Sequence, residues 1–289
     1  MTKKRLLIVG CGDLGLRLAR SLRPALWQVS GSRRQPPEAE TSIDWIQADH
    51  CEPGALDVIA KLQPDYVLAT FTPTDRDVPG YRQGFGFAAK NLTQALAGQP
   101  VSRIIMASST RVYAERKGGW VDETSPLATD DERGSAIIDA EACFLNSTIP
   151  TTVVRFGGIY GATNSRLLAR IESGRVAPAT PVRYTNRIHR DDCAGFLAHL
   201  LVMDANGNPP LDVYNGVDDC PAPAYEVESW LASTIGKLST HSHTPAGIAG
   251  HKRCRNSRLH DCGYRLTHPD FRSGYTQLLE QSDRPEVQG

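Results

Sequence analysis

The chain has 289 residues, 40% of them hydrophobic and 22% charged, with Lys+Arg and Asp+Glu balanced at 32 each. This length holds one large α/β domain or a nucleotide domain with a smaller partner, and the neutral balance excludes a global field for nucleic acid or an anionic membrane. No apolar run approaches the roughly 20 residues needed to span a bilayer, the apolar segment of MTKKRLLIVGCG is too short for a signal peptide, and seven cysteines form no CxxC pair; a soluble, cytoplasmic protein with reduced thiols is expected.

In chain order, the apolar runs RLLIVG, WQVSGS, IDWIQAD, DYVLATF, RIIMASS and TTVVRFGG alternate with amphipathic segments. That rhythm predicts βαβ units and a Rossmann-type, doubly wound parallel sheet, with ligands beyond the carboxyl ends of the strands. The first unit, LLIVGCGDLGLRLARSL, places Gly10, Gly12 and Gly15 in G-x-G-x-x-G spacing between a strand and a helix. The first glycine permits the tight turn, the second lets backbone approach a pyrophosphate, and the third lets the helix pack on the strand. Asp13 and Leu14 lie inside this turn, and the Asp13 carboxylate would repel phosphate unless it points to solvent or caps the helix.

The second run ends on Ser32, Arg33 and Arg34, where an NAD-selective site would carry an acidic residue. A guanidinium suits a 2′-phosphate, so NADP is expected in preference to NAD, the alternative being a solvated basic turn. Asp49 after the third run would accept from the adenine amino group or cap the following turn. Thr70, Phe71 and Thr72 follow the fourth run, where the nicotinamide-side ribose would pass. From about residue 164 the rhythm weakens and proline-rich turns enter. The expected division is a nucleotide domain over 1–163, completed by about 186–217, and a smaller substrate lobe over 164–185 and 218–289. In this lobe HSHTPAGIAGHKRC gathers His241, His243, His251 and Cys254, but the spacing fits no common zinc pattern, and no metal is expected there.

With RIIMASSTRVYAE, VVRFGGIYGA, RIHRDDCAGFLAHLL and VYNGVDD, the chain resembles the extended short-chain dehydrogenase/reductase family, which includes the NAD-dependent epimerases and dehydratases of nucleotide sugars. The glycine turn is one residue tighter than the usual G-x-x-G-x-x-G of that family. The resemblance implies a serine that orients the substrate, matched by Ser109 with Tyr113 four residues on, and a Tyr-x-x-x-Lys helix. Anchoring ERGSAIIDAEACFL on Ala140 and Glu141 puts Arg133 and Ile137 at those two positions. Arginine is a poor general base and isoleucine carries no charge to perturb a phenol, so the match is to the atypical branch of the family. Thr110 and Arg111 stand where a dehydratase would carry an acidic pair.

Arg133, Arg155, Tyr160 and His189 are candidate substrate contacts. Arg155 and Arg187 would clamp an anionic substrate or pair with Asp191 and Asp192, which otherwise cap the next helix. Two functions are open: an NADP-dependent oxidoreductase or epimerase-like enzyme on a small hydroxylated or carbonyl compound, with Ser109 and Tyr113 as catalytic residues, or a catalytically silent NADP-binding module that recognises a protein partner. The resemblance also implies a homodimer paired through helices. A nucleic-acid partner is not expected, because KRCRNSR carries no aromatic residue with which to form a stacking platform.

Overall fold

The alternation of runs resolves into a seven-stranded parallel sheet in the computed structural model, which describes residues 2–162, 165–237, 240–241 and 251–282. Its first strands are β1 (Lys4–Val9), β2 (Trp27–Arg33), β3 (Asp44–Gln47), β4 (Tyr66–Ala69) and β5 (Arg103–Ser109), followed by Thr151–Phe156 and Val213–Gly216. The order across the sheet runs from Val213–Gly216 through Thr151–Phe156, β5, β4, β1 and β2 to β3. β1 lies between β4 and β2, with Leu6 opposite both Val29 and Tyr66. Leu6 to Val9 and Tyr66 to Ala69 are buried throughout, as expected of strands covered on both faces. The chain leaves β1 in opposite directions to reach β2 and β4, so the sheet's switch point lies at the carboxyl end of β1.

The helix α1 (Asp13–Ser21) buries Gly15, Leu18 and Ala19. ERGSAIIDAEACFL forms one helix, Glu132–Leu145, with Ala136, Ile137, Ala140 and Phe144 in the core. Between β4 and β5 the helix Val78–Tyr81 passes into a π-helical stretch, Arg82–Phe87. Gly84 permits this stretch to lie against the loop after β4, because a Cβ there would fall 2.3 Å from the Thr72 carbonyl oxygen.

The chain divides into two compact units, residues 1–113, 127–155 and 194–214 forming the first and 114–126, 156–193 and 215–289 the second. The sequence-based nucleotide domain, 1–163 completed by about 186–217, differs from the first unit in including 114–126, 156–163, 186–193 and 215–217, all of which belong to the second unit. Backbone pairing gives the reason: Trp120–Val121 is hydrogen-bonded to Arg253–Cys254, and Gly158–Tyr160 to Arg187–His189. The second unit has its own core, including Ile171, Val227, Leu231, Phe271 and Leu278. No described helix is long and apolar enough to cross a membrane, and all seven cysteines are free thiols.

Candidate functional site

In the first unit, the carboxyl ends of β1, β2 and β4 open on a cavity of about 490 Å³. That size lies within the roughly 300–1,000 Å³ usual for small-molecule sites. Gly10 turns the chain at φ +77°, and a Cβ there would stand 3.0 Å from the Thr70 carbonyl oxygen. The amides of Gly10 and Cys11 donate to the Ser32 carbonyl at 3.0 and 2.9 Å, and the Thr70 hydroxyl donates to the Gly10 carbonyl at 3.0 Å. Ser32 and Thr70 thus brace the glycine turn, while the Ser32 side chain itself is buried.

Gly12 is the N-cap of α1 and supplies no side-chain cap; the nearest atom to a Cβ built on it is 3.9 Å away. Uncapped first-turn N–H groups beside open space suit an anion, through directed donors and the positive end of the helix dipole. Gly15 serves packing instead, since its Cβ would lie 2.9 Å from both Ile8 Cγ2 and Cys11 Sγ. Asp13 is exposed and paired with Arg17 at 3.0 Å, which turns its charge to solvent; Leu14 is half-buried. Arg33 and Arg34 line the cavity, and neither pairs with a carboxylate among the described residues.

Thr72 also lines the cavity, whereas Phe71 is buried between His50 and Phe144, with ring centroids at 5.1 and 6.1 Å. The Asp49 carboxylate accepts from the Cys51 amide at 3.0 Å, the turn-capping alternative for that residue. The neighbouring His50 lines the cavity, its Nδ1 buried without a protein partner among the described residues. Burial, opposed by Asp49 and aided by Arg34, holds its pKa below the ordinary histidine value. No motif marks His50 in the sequence; its position directly after Asp49 was the available signal.

Ser109 ends β5, and its hydroxyl accepts from the Arg111 amide at 3.2 Å, capping a one-turn helix. Tyr113 is 0% exposed, with the Arg155 guanidinium 5.0 Å from its ring centroid. Arg155 binds Glu141 through contacts of 2.7 and 3.1 Å, and Ser108 donates to the same carboxylate. Burial is the leading influence on the Arg155 pKa, but the bonds to Glu141 outweigh it and keep the guanidinium charged. Arg133 donates to the Arg76 carbonyl at 3.1 Å, and Ile137 is a core residue one turn further along the same helix.

In the second unit, Tyr160 is buried and donates to the Asp270 carbonyl at 3.2 Å. His189 is buried against Tyr160 and His268, and its pKa is pushed down to about 4, chiefly by burial and then by His268. Arg187 lies over the Phe271 ring and donates to the Thr185 hydroxyl, not to Asp191 or Asp192. Asp191 and Asp192 occupy the first turn of the helix Arg190–Ala205, where Asp192 accepts from the amides of Thr267 and His268. His251 stacks on Tyr184, and Cys254 is buried with its thiol pushed up to about 12; His243 lies outside the described residues, as does the side chain of His241. Strand pairing also gives KRCRNSR the aromatics it lacks. Arg253 and Arg255 both lie 5.0 Å from the ring of Trp120, and Arg253 lies 4.7 Å from that of Tyr184.

No protein-family profile matches the chain. It is 33% identical to a solved structure described as a candidate NAD-dependent epimerase/dehydratase of Methylobacillus flagellatus, covering 98% of this chain and 100% of that one with a TM-score of 0.81. It is 28% identical over 255 residues to the Escherichia coli protein YeeZ, covering 81% of this chain and 84% of the relative. The human epimerase family protein SDR39U1, solved with NADPH, has 20% identity and a TM-score of 0.73 over 96% of this chain and 99% of its own; at that identity the likeness carries the fold alone.

Proposed function

We propose, from the premise that this chain belongs to the NAD-dependent epimerase/dehydratase family of extended short-chain dehydrogenase/reductases, that it binds NADP(H) in the cavity at the glycine turn. Backbone amides at the start of α1, over Gly12, Asp13, Leu14 and Gly15, receive the pyrophosphate. Arg33 and Arg34 receive the 2′-phosphate, His50 lies on the adenosine side, and Thr72 borders the nicotinamide-side ribose. A bound nicotinamide supplies or accepts a hydride. In the enzyme reading, Ser109 positions the reacting oxygen of a small hydroxylated or carbonyl substrate, and the acid/base residue is not the usual Tyr and Lys.

One observation carries the cofactor choice: two guanidinium groups without carboxylate partners among the described residues stand on the wall of a cavity whose floor is the glycine turn. Calorimetric titration of the full chain with NADP+ and NAD+ tests it. The expected result is tighter binding of NADP+, with Arg34→Ala and Arg33→Ala together removing the preference by roughly 10- to 100-fold, the scale of charge-assisted bonds worth about 1.5–3 kcal/mol. Equal affinity for the two nucleotides, unchanged in the double variant, overturns the assignment.

A second reading, a silent NADP-binding module that recognises a protein partner, is favoured by the full burial of Tyr113 under Arg155 and by Ile137 in the core. Stereospecific exchange of labelled hydride between NADPH and a carbonyl panel separates the two readings: exchange establishes the enzyme, and tight binding without exchange supports the module.

A further inference from the structure

In the second unit three side chains distant in sequence meet at one point. His189 ends the strand Arg187–His189, Asp191 lies in the first turn of the helix Arg190–Ala205, and His268 precedes the helix Phe271–Ser282. Their donor atoms all lie within 4.8 Å of one another, with His189 Nδ1 3.6 Å from Asp191 Oδ2. The two imidazole centroids are 4.1 Å apart at 58°, so the rings do not stack face to face. His268 is 94% buried, from a relative exposure of 6%, and its Nε2 has no protein partner among the described residues. An orphaned buried nitrogen is destabilising, a penalty that a bound ion relieves.

We propose that His189, Asp191 and His268 form a binding site for a divalent transition-metal ion, with zinc the best match to two imidazole nitrogens and one carboxylate oxygen. Zinc bonds of about 2.0–2.2 Å place neighbouring tetrahedral ligands about 3.3–3.5 Å apart, close to the separation observed between His189 and Asp191. Calcium and magnesium prefer all-oxygen shells, which this donor set does not offer. His189 Nδ1 accepts a long bond of 3.3 Å from the Asp191 amide, which marks Nδ1 as the nitrogen carrying the lone pair. Coordination replaces that bond.

The surroundings hold the ligands in place. The Asp192 carboxylate accepts from the backbone of Thr267 at 2.7 Å and of His268 at 2.9 Å, and from the Tyr264 hydroxyl at 3.2 Å. The residue next to one ligand thus anchors the loop that carries another, the outer-shell support that metal sites use to fix their ligands. The Asp191 side chain is 42% exposed and leaves a route from solvent, with water completing the coordination. This ion would tie a strand end, a helix start and a loop together, and it is independent of the cofactor reading.

The test is calorimetric titration of the chelator-treated full chain with zinc chloride, together with the visible spectrum of the cobalt-substituted protein. One ion per chain, a tetrahedral cobalt spectrum and a raised melting temperature are expected. His268→Gln and Asp191→Asn should each weaken zinc binding by at least about tenfold. Asp191→Asn alters a solvent-facing side chain, so a loss of binding in that variant with an unchanged melting temperature in the absence of zinc is not a folding defect. Cys254→Ser and His260→Gln, the latter altering a separate His–Asp pair at 2.6 Å, should leave binding unchanged. Absence of saturable zinc binding overturns the proposal. So does stoichiometric binding that both His268→Gln and Asp191→Asn retain, which would place the ion elsewhere, for example among the histidines of 241–251.

Discussion

Gly12 and Gly15 are three residues apart in one turn and resist substitution for different reasons. A side chain at Gly12 meets open space and an ordinary backbone conformation, so Gly12→Val should fold with a melting temperature near that of the parent yet lose nucleotide binding, because its branches fill the space a pyrophosphate needs. A methyl at Gly15 collides with Ile8 and Cys11, and Gly15→Ala should cost about 1–3 kcal/mol in urea unfolding while changing binding less. At this scale the glycine turn was legible, because backbone geometry demands glycine at fixed spacing. Phe71 and Ser32 were less so: sequence placed them at the ribose ends of the cofactor, but the Ser32 side chain is buried and the Phe71 ring packs between His50 and Phe144. His50 carries no motif and enters the cavity wall only through the turn that Asp49 caps.

Among the elements, the helix Glu132–Leu145 shows what replaces a standard active-site helix. Its boundaries were readable from its apolar spacing, and the loss of Tyr and Lys from its composition, but not the use of Glu141. That carboxylate binds Arg155 from the neighbouring strand with both side chains at most 5% exposed, and Ser108 from β5 completes the group. The two partners lie in different elements; the sequence offered Arg155 as a substrate contact and Glu141 as a family anchor, and nothing in it joined them. Removing one partner leaves the other buried and uncompensated, so Glu141→Gln should lower unfolding free energy by about 3–5 kcal/mol, measured by chemical denaturation. A double substitution of Glu141 and Arg155 by apolar residues of similar volume should recover much of that loss. If the single variant costs less than about 1 kcal/mol, the pair is more solvated than its geometry indicates.

Across the whole molecule, the alternation of apolar runs was enough to give the parallel sheet, because strands buried on both faces must be apolar throughout, whereas the strand order and hence the switch point came only from the structure. The second unit was less legible: its segments are far apart in the chain, and its small strands of two or three residues leave no periodic signal. One contributor to its pH response is Asp218, whose pKa burial raises to about 8 against the opposing influence of Arg187, with Asp219 and Asp270 adding to the rise. Between the unfolded carboxylate value and about 8 the native chain holds a proton that the unfolded chain has lost. From this group alone stability falls towards pH 8, by at most about 1.4 kcal/mol per pH unit, before levelling; His189, pushed down to about 4, opposes that fall below the unfolded histidine value, so the slope shows between about pH 6.5 and 8. Asp218→Asn should remove that slope and exceed the parent in stability at pH 8; equal pH dependence in both proteins would show that Asp218 ionises freely.

The pairing of Trp120–Val121 with Arg253–Cys254 also bears on how the protein is made. Gly118, which receives a hydrogen bond from Arg253, is translated 135 residues before it. At ribosomal speeds of about 5–20 residues per second, roughly 7–27 seconds pass before the partner emerges. Through that interval the nascent polypeptide carries Trp120 and Val121 without the strand that pairs them.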